Sequence, residues 1–362
     1  MIRSKVPIAP ARIAAFDILR RVDSGAYASD LLFALSLDSR DASLASEIVF
    51  GVLRYRAQLD YLISLHSPHH LDPEVRTALR MGIYQLRYLD RIPPHAAVAD
   101  SVELVKRARK RSAAGLVNAV LRKTHREPVS WPTREIELSC PEWLLRRWEK
   151  QYGSEIAAGI AREALKPPLT YLNPSTGLTQ DIGSQSIVPL LRLERGQSYL
   201  DLCAAPGNKT AQALAQGVRA VACDLHFHRL APMKSLTPNL VNLDASRPLP
   251  FARSFDRILL DAPCSGTGTL GRNPEIKWRL TPADLDDLHA RQVALLGQAR
   301  RALAPGGLLV YSTCSLEREE NEDVVATVPS ELIVETMQRI PGRDPGDGFF
   351  AAVIKSDQPA ND

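Results

Sequence analysis

From Gln180 onward, short apolar runs alternate with helical stretches, and three of the runs end in an acid. Val218–Cys223 runs into Asp224, Leu240–Leu243 into Asp244, and Phe255–Leu260 into Asp261. Ser198–Cys203 reads as an earlier strand, Leu308–Tyr311 as a fifth and Phe349–Ile354 as a final edge strand. Strands that alternate with helices predict a parallel sheet with helices on both faces. Pro282–Ala304 reads as a long helix with Leu285, Leu288, Leu295, Leu296, Ala299 and Leu303 inward, closed by the turn Pro305-Gly-Gly307.

Ligands of an open α/β sheet collect outside the carboxyl ends of its strands, so chemistry is sought there. The richest ends are Asp261-Ala-Pro-Cys-Ser-Gly-Thr-Gly268 and Ser312-Thr-Cys-Ser315. They bring Asp261, Cys264 and Cys314 to one sheet edge. A thiolate is a strong nucleophile, and a carboxyl group beside a heterocycle can share a proton with it. Either cysteine alone could instead be a small buried hydrophobe.

The loop Ala204-Ala-Pro-Gly-Asn-Lys-Thr210 after the first strand lets backbone approach a ligand, and the helix behind it offers free N–H groups. Without the GxGxxG spacing a dinucleotide is disfavoured, and a smaller nucleoside-bearing cofactor fits better. Asp224 is placed to accept from ribose hydroxyls and Asp244 from an adenine amino group. One acidic strand end is as often a cap or turn residue; three together point to a site.

The front of the chain has a different pattern. From Ala11 to Arg126 apolar residues recur at helical spacing, as in Ile13, Phe16, Leu19 and Val22, or Leu44, Ile48, Val52, Tyr55, Leu59 and Leu62. This predicts a small all-helical bundle. Residues 1–128 carry 20 Lys or Arg against 13 Asp or Glu, whereas the rest carries 25 against 28. That asymmetry points to a nucleic-acid partner for the front half. Lys106, Arg107, Arg109, Lys110 and Arg111 form the densest basic run and are the candidate RNA-phosphate contacts; a solvated helix end is the competing reading. Residues 129–178 form a bridge in which Pro141–Trp148 reads as an amphipathic helix with Trp143 and Trp148 as packing groups, followed by Pro-rich connector.

Five cysteines without a CxxC argue against a zinc ribbon or a disulfide framework, and no metal is expected. No signal-peptide core or membrane-length apolar run is present, so a cytoplasmic protein with no membrane partner is expected.

Asp201-Leu-Cys-Ala-Ala-Pro-Gly-Asn-Lys-Thr210, Asp261–Gly268, Asn273-Pro-Glu-Ile-Lys-Trp278, Tyr311-Ser-Thr-Cys-Ser315 and Gly346-Asp-Gly-Phe-Phe350 together resemble the RsmB (Sun or Fmu) family of bacterial ribosomal RNA cytosine-C5 methyltransferases. The helices, with Ile92–Val98 and Leu116–Arg122, resemble its NusB-like RNA-binding domain. The resemblance covers nearly the whole chain. It implies a NusB-like bundle at 1–128, a shortened linker or subdomain at 129–178 and a Rossmann-like class I methyltransferase domain at 179–356, with S-adenosylmethionine as cofactor. It further implies that Cys203, Ala204, Ala205, Pro206, Gly207, Asn208 and Lys209 cradle the methionine portion, that Asp224 binds the ribose, and that Asp244 lies by the adenine. Asp261 would stand between cofactor and base at the cytosine N3/N4 edge, with Cys314 as nucleophile and Cys264 assisting product release.

The implied target is a cytidine of 16S rRNA, at position 967 by the family's usual choice, either as free RNA or in an assembling small subunit. DNA is not expected. A catalytically weakened RNA-binding or ribosome-assembly paralogue is the alternative, and an amino-group methyltransferase is disfavoured because Ala262-Pro263-Cys264 replaces the Pro-Pro-aromatic run of such enzymes. Two departures stand out. Asn208 replaces the motif's second glycine, which puts a side chain beside the cofactor, and the stretch between Trp148 and Gln180 is cut down to a connector. Retained chemistry with altered RNA affinity or target choice is the expectation.

Overall fold

The computed structural model describes residues 8–67, 70–124, 128–237 and 239–357. The chain forms two compact units: residues 1–149 with 164–166 and 271–278, and residues 150–163 with 167–270 and 279–362.

The first unit is helical. Its long helices are Pro10–Asp23, Ser39–Arg54, Arg56–Ser64, Pro73–Tyr88, Pro94–Arg107 and Ala114–Lys123. Local chemistry sets their starts. Proline, whose missing N–H costs nothing in a first turn, opens three of them, and the Asp38 carboxylate caps a fourth by accepting from Arg40 and Asp41 N–H. The periodic residues meet in one core that includes Phe16, Leu19, Ile48, Val52, Leu79, Ile83, Leu104 and Leu121. The single periodic run from Leu44 to Leu62 is broken into two helices at Tyr55. Trp148 is fully buried, in keeping with a packing role.

Asn273–Trp278, which in sequence belongs between two strands of the sheet, lies in this helical unit. Glu275 Oε1 accepts from Ala28 N–H at 2.9 Å, Lys277 Nζ donates to the Arg54 carbonyl at 2.9 Å, and Trp278 Nε1 donates to the Leu53 carbonyl at 2.7 Å. Lys277 is wholly enclosed, and burial pulls its ammonium down to about 8.

The second unit is a seven-stranded sheet with β1 at Ser198–Leu202, β2 at Arg219–Asp224, β3 at Leu240–Asn242, β4 at Phe255–Asp261, β5 at Leu303–Thr313, β6 at Ile333–Arg339 and β7 at Phe349–Lys355. The order is β3-β2-β1-β4-β5-β7-β6, parallel from β3 to β5, with β7 antiparallel to both its neighbours. The inner parallel strands read as apolar runs because both faces are covered, whereas the edge strand β3 is half-buried to exposed. Ile258, Leu260, Leu309 and Tyr311 join one core, and Leu259 and Val310, pointing the other way, join a second. This is the Rossmann-like arrangement that the alternation of strands and helices predicts.

Three details differ from the sequence-based expectation. The stretch between Trp148 and Gln180 is not all connector, because Ser154–Glu163 is a helix that buries Ala157, Ile160 and Ala161. The Phe349 strand is not the edge, because β6 pairs outside it; the Ile333–Arg339 strand is mostly exposed or half-buried and carries no clear apolar alternation. Pro305-Gly-Gly307 does not precede the fifth strand but is looped out within it, where the register jumps from Phe255–Leu303 to Arg257–Leu308.

Candidate active site

The chain order reverses between β1 and β4, and the polar residues gather where their carboxyl ends open. Beyond β1, Cys203 takes a left-handed backbone conformation, φ 69°, and Gly207 another, φ 109°, immediately before the helix Asn208–Leu214. A Cβ on Gly207 would come within 2.8 Å of the Leu236 side chain, so the loop requires glycine there both for its backbone and for space. Asn208 is helical, not left-handed, and its amide donates to the Thr179 carbonyl at 3.2 Å. Its side chain thus has a partner of its own in the segment that precedes β1.

Asp224 ends β2. Its Oδ2 accepts from Ala205 N–H at 3.2 Å and its Oδ1 from His226 N–H at 2.9 Å, which ties the β1 loop to the end of β2. Asp244 follows β3 and accepts from both the backbone N–H and the hydroxyl of Ser246; these bonds, the hydroxyl first, hold its carboxyl below the usual range. A cavity of about 140 Å³ lies between the two acids, walled by Leu225, Leu243, Pro263 and Leu295. Two carboxylates at the rim of an apolar slot suit a nucleoside, whose diol and amino group donate hydrogen bonds while its ring needs an apolar wall.

Asp261 ends β4. Lys209 Nζ lies 2.6 Å from its Oδ2, and the Ser312 hydroxyl donates to its Oδ1 at 2.7 Å. Burial works against the Lys209 ammonium, but the charge of Asp261, its hydrogen bond and the nearby Cys314 outweigh burial and raise its pKa. Each Asp261 oxygen keeps a further lone pair, so the carboxylate can still accept from a ligand.

The two cysteine loops converge. Cys264 Sγ and Cys314 Sγ are 3.4 Å apart. Gly268 N–H donates to the Cys314 carbonyl at 2.9 Å, and Gly348 N–H donates to the Gly268 carbonyl at 2.8 Å. A Cβ on Gly268 would meet the Gly348 oxygen at 2.4 Å, so glycine is what lets the three segments pack. The hydrogen bond with Cys314, then burial, pushes the Cys264 thiol well above its ordinary value. Cys203, by contrast, is raised mainly by burial.

Of the candidate residues, Asp261, Cys264, Cys314 and Lys209 are thus brought into one polar cluster, and Cys203, Asp224 and Asp244 into the adjoining cavity. Ser312 and Asp201 were not among the candidates. Asp201, 1% exposed, accepts from Thr210 Oγ1 at 2.6 Å and Tyr199 Oη at 3.2 Å, and burial lifts its pKa to about 7. Nothing in residue type alone separates it from the other acids; its place inside a strand, not at the end, is the available signal.

The basic run sits at the end of the helix Pro94–Arg107. Lys106 pairs with Glu103, Arg107 with Asp17 and Lys110 with Asp72, whereas Arg109 and Arg111 are exposed and hold no acid among the described residues. Among the described residues there is no cluster able to hold a metal ion, and no helix is long and apolar enough to cross a membrane.

Residues 188–332 match the family described as 16S rRNA methyltransferase RsmB/F, and residues 9–126 match the NusB family. Ribosomal RNA small subunit methyltransferase B of Citrobacter koseri is 31% identical, with 94% of this chain and 97% of that protein covered; the protein of the same name from Salmonella paratyphi B has the same identity and coverage. Those alignments run over 421 residues, more than the 362 of this chain, so the relatives contain stretches with no counterpart here. The crystal structure of PH0851 shares the fold with a TM-score of 0.76 at 20% identity, covering 97% of this chain and 99% of that one. With a sheet of this topology and relatives along nearly its whole length, the chain belongs to the RsmB/F family of 16S rRNA methyltransferases.

Proposed function

We propose that the protein methylates C5 of a cytidine in 16S ribosomal RNA, at position 967, through a covalent adduct between the Cys314 thiolate and C6. The observation that carries this reading is the 3.4 Å approach of the Cys264 and Cys314 sulfurs beside the Lys209–Asp261 pair. The cofactor is S-adenosylmethionine, which supplies an electrophilic methyl group. Its holders would be the Cys203–Lys209 loop for the methionine portion, Asp224 for the ribose and Asp244 for the adenine.

Cytosine C5 is a weak nucleophile. Addition of the Cys314 thiolate to C6 forms the S–C6 bond and pushes the ring electrons toward C5, which then takes the methyl. Asp261, held by Lys209 and Ser312, faces the N3/N4 edge and offsets the charge that develops there. In the resting site Cys264 keeps its proton, so it is not the attacking group. Once Cys314 is bound to C6 its charge no longer opposes ionisation of Cys264, which gives its own proton to solvent and then takes the C5 proton while the S–C6 bond breaks and Cys314 leaves as thiolate. A base stacked in a helix cannot be reached this way, so the target is single-stranded or flipped out. Arg109 and Arg111 in the helical unit supply phosphate contacts.

The test is transfer of labelled methyl from S-adenosylmethionine to unmodified 16S RNA and to assembling subunits, followed by nucleoside mapping. Label on 5-methylcytidine is the expected result. Cofactor binding without transfer to either substrate would overturn the reading in favour of a non-catalytic RNA-binding protein.

A further inference from the structure

Beneath the two sulfurs, the cysteine loops are joined by one carboxylate that the chemistry above does not use. Glu320, in the short turn Arg318–Glu320, is wholly buried. Its Oε1 accepts from Ser265 N–H at 2.8 Å and from Gln292 Nε2 at 3.0 Å; its Oε2 accepts from the hydroxyls of Ser265 and Ser315, each at 2.5 Å. Ser265 follows Cys264, and Ser315 follows Cys314. One side chain therefore grips the residue next to each cysteine.

The cost of this arrangement argues for a purpose. A buried carboxylate needs compensation, and no Lys or Arg stands within ion-pair distance of Glu320 among the described residues. Four donors fill its four acceptor positions instead, so both serine hydroxyl protons are committed to it and neither loop can shift without stranding a lone pair. Asn321 adds a second tie on the Cys314 side: it accepts from Thr313 Oγ1 and donates to the Ser315 carbonyl at 2.9 Å. Among the described residues the Cys264 loop has no second direct tie to this turn, and Gln292 links the two by donating to the Pro263 carbonyl at 2.9 Å as well as to Glu320. The two loops are also joined directly, Ala262 N–H to the Ser312 carbonyl at 2.8 Å, Gly268 N–H to the Cys314 carbonyl at 2.9 Å and Leu316 N–H to Thr267 Oγ1 at 2.9 Å; Glu320 adds a tie at the serine beside each cysteine.

We propose that Glu320 is a positioning residue that sets the separation of the Cys264 and Cys314 sulfurs, and through it the release step; the second clause rests on the cysteine mechanism proposed above, the first does not. Glu320→Gln is nearly isosteric; it removes the charge and turns one acceptor oxygen into an NH2, so the two hydroxyls that donate to the carboxylate must turn round and accept.

The experiment compares wild type, Glu320→Gln and Ser265→Ala. A bifunctional thiol reagent, dibromobimane, is applied without RNA and the Cys264–Cys314 cross-link is quantified by peptide mass spectrometry. Methyl transfer and adduct accumulation are measured alongside, with S-adenosylmethionine binding as the check on folding. Expected are unchanged cofactor affinity, a clear fall in cross-link yield, and a fall in kcat of about tenfold or more with little change in KM for RNA, because misplacement by about 1 Å costs up to ~10²-fold. Ser265→Ala, which removes one hydroxyl from the carboxylate, should move the same readouts less far and serves if Glu320→Gln fails to bind cofactor. Undiminished cross-linking in a folded variant overturns the proposal. If wild type places no methyl on C5 while cross-linking still depends on Glu320, the cysteine mechanism fails and the positioning role stands.

Discussion

The Lys209 ammonium lies 2.6 Å from Asp261 Oδ2, joining the loop after β1 to the end of β4 across the point where the chain order reverses. The side chains are 13% and 28% exposed, so the pair is largely shielded from water. Lys209→Ala leaves Asp261 with only the Ser312 hydroxyl. Breaking a buried pair typically costs about 3–5 kcal/mol; with Asp261 partly exposed, a loss of about 2 kcal/mol in urea unfolding is expected, together with a fall in methyl transfer of about 10²-fold. Activity retained at the wild-type level would show that Asp261 needs no cation to act.

Asp201 predicts a pH signature. Its carboxyl titrates near 7 in the folded protein because of burial, against 3.8 ordinarily. Between about pH 4 and about pH 7 the unfolded chain loses this proton while the folded one keeps it, so stability falls as pH rises through that window and is level above it. Asp201→Asn removes the titration. The unfolding free energy of the variant relative to wild type should rise with pH by up to about 1.4 kcal/mol per unit and then flatten above about pH 7. A difference that does not change with pH contradicts the account.

Asp224 should serve the cofactor and not the RNA. Asp224→Asn keeps the side-chain shape but weakens acceptance from a ribose diol, and the loss of a charged hydrogen bond corresponds to about a tenfold or greater rise in Kd for S-adenosylmethionine. Calorimetry with the cofactor and filter binding with RNA separate the two. Weakened RNA binding with unchanged cofactor affinity would reverse the assignment.

The basic run is not uniform. Three of its five cations already pair with Glu103, Asp17 and Asp72, so their removal should matter less. Arg109→Gln and Arg111→Gln should each weaken RNA binding across sequences and lower the salt slope by about 1. Equal effects from all five positions would mean that the acids release their partners on binding.

The sheet was legible because its inner parallel strands are buried on both faces and therefore read as apolar runs; Ile258, Leu259 and Leu260 show this directly. The acids at the ends of β2 and β4 and the converging cysteines followed from the same runs. What did not show was structure made by partners distant in sequence. β6 has an exposed face and is held by pairing to β7, and Asn273–Trp278 lies within the helical unit through Ala28, Leu53 and Arg54. Asn208 illustrates the reverse case, where a motif departure looks disruptive until its amide is found on the Thr179 carbonyl. Glu320, one of several acids after Ser315, carries no mark of its burial.

The central claim is that Cys314 attacks and Cys264 releases, and the covalent adduct tests it most directly. Cys264→Ala should accumulate a denaturant-resistant complex with methylated 16S RNA, and the added Cys314→Ala change should abolish it along with methyl transfer. An adduct that persists without Cys314, or that forms only when Cys264 is present, would contradict the assignment.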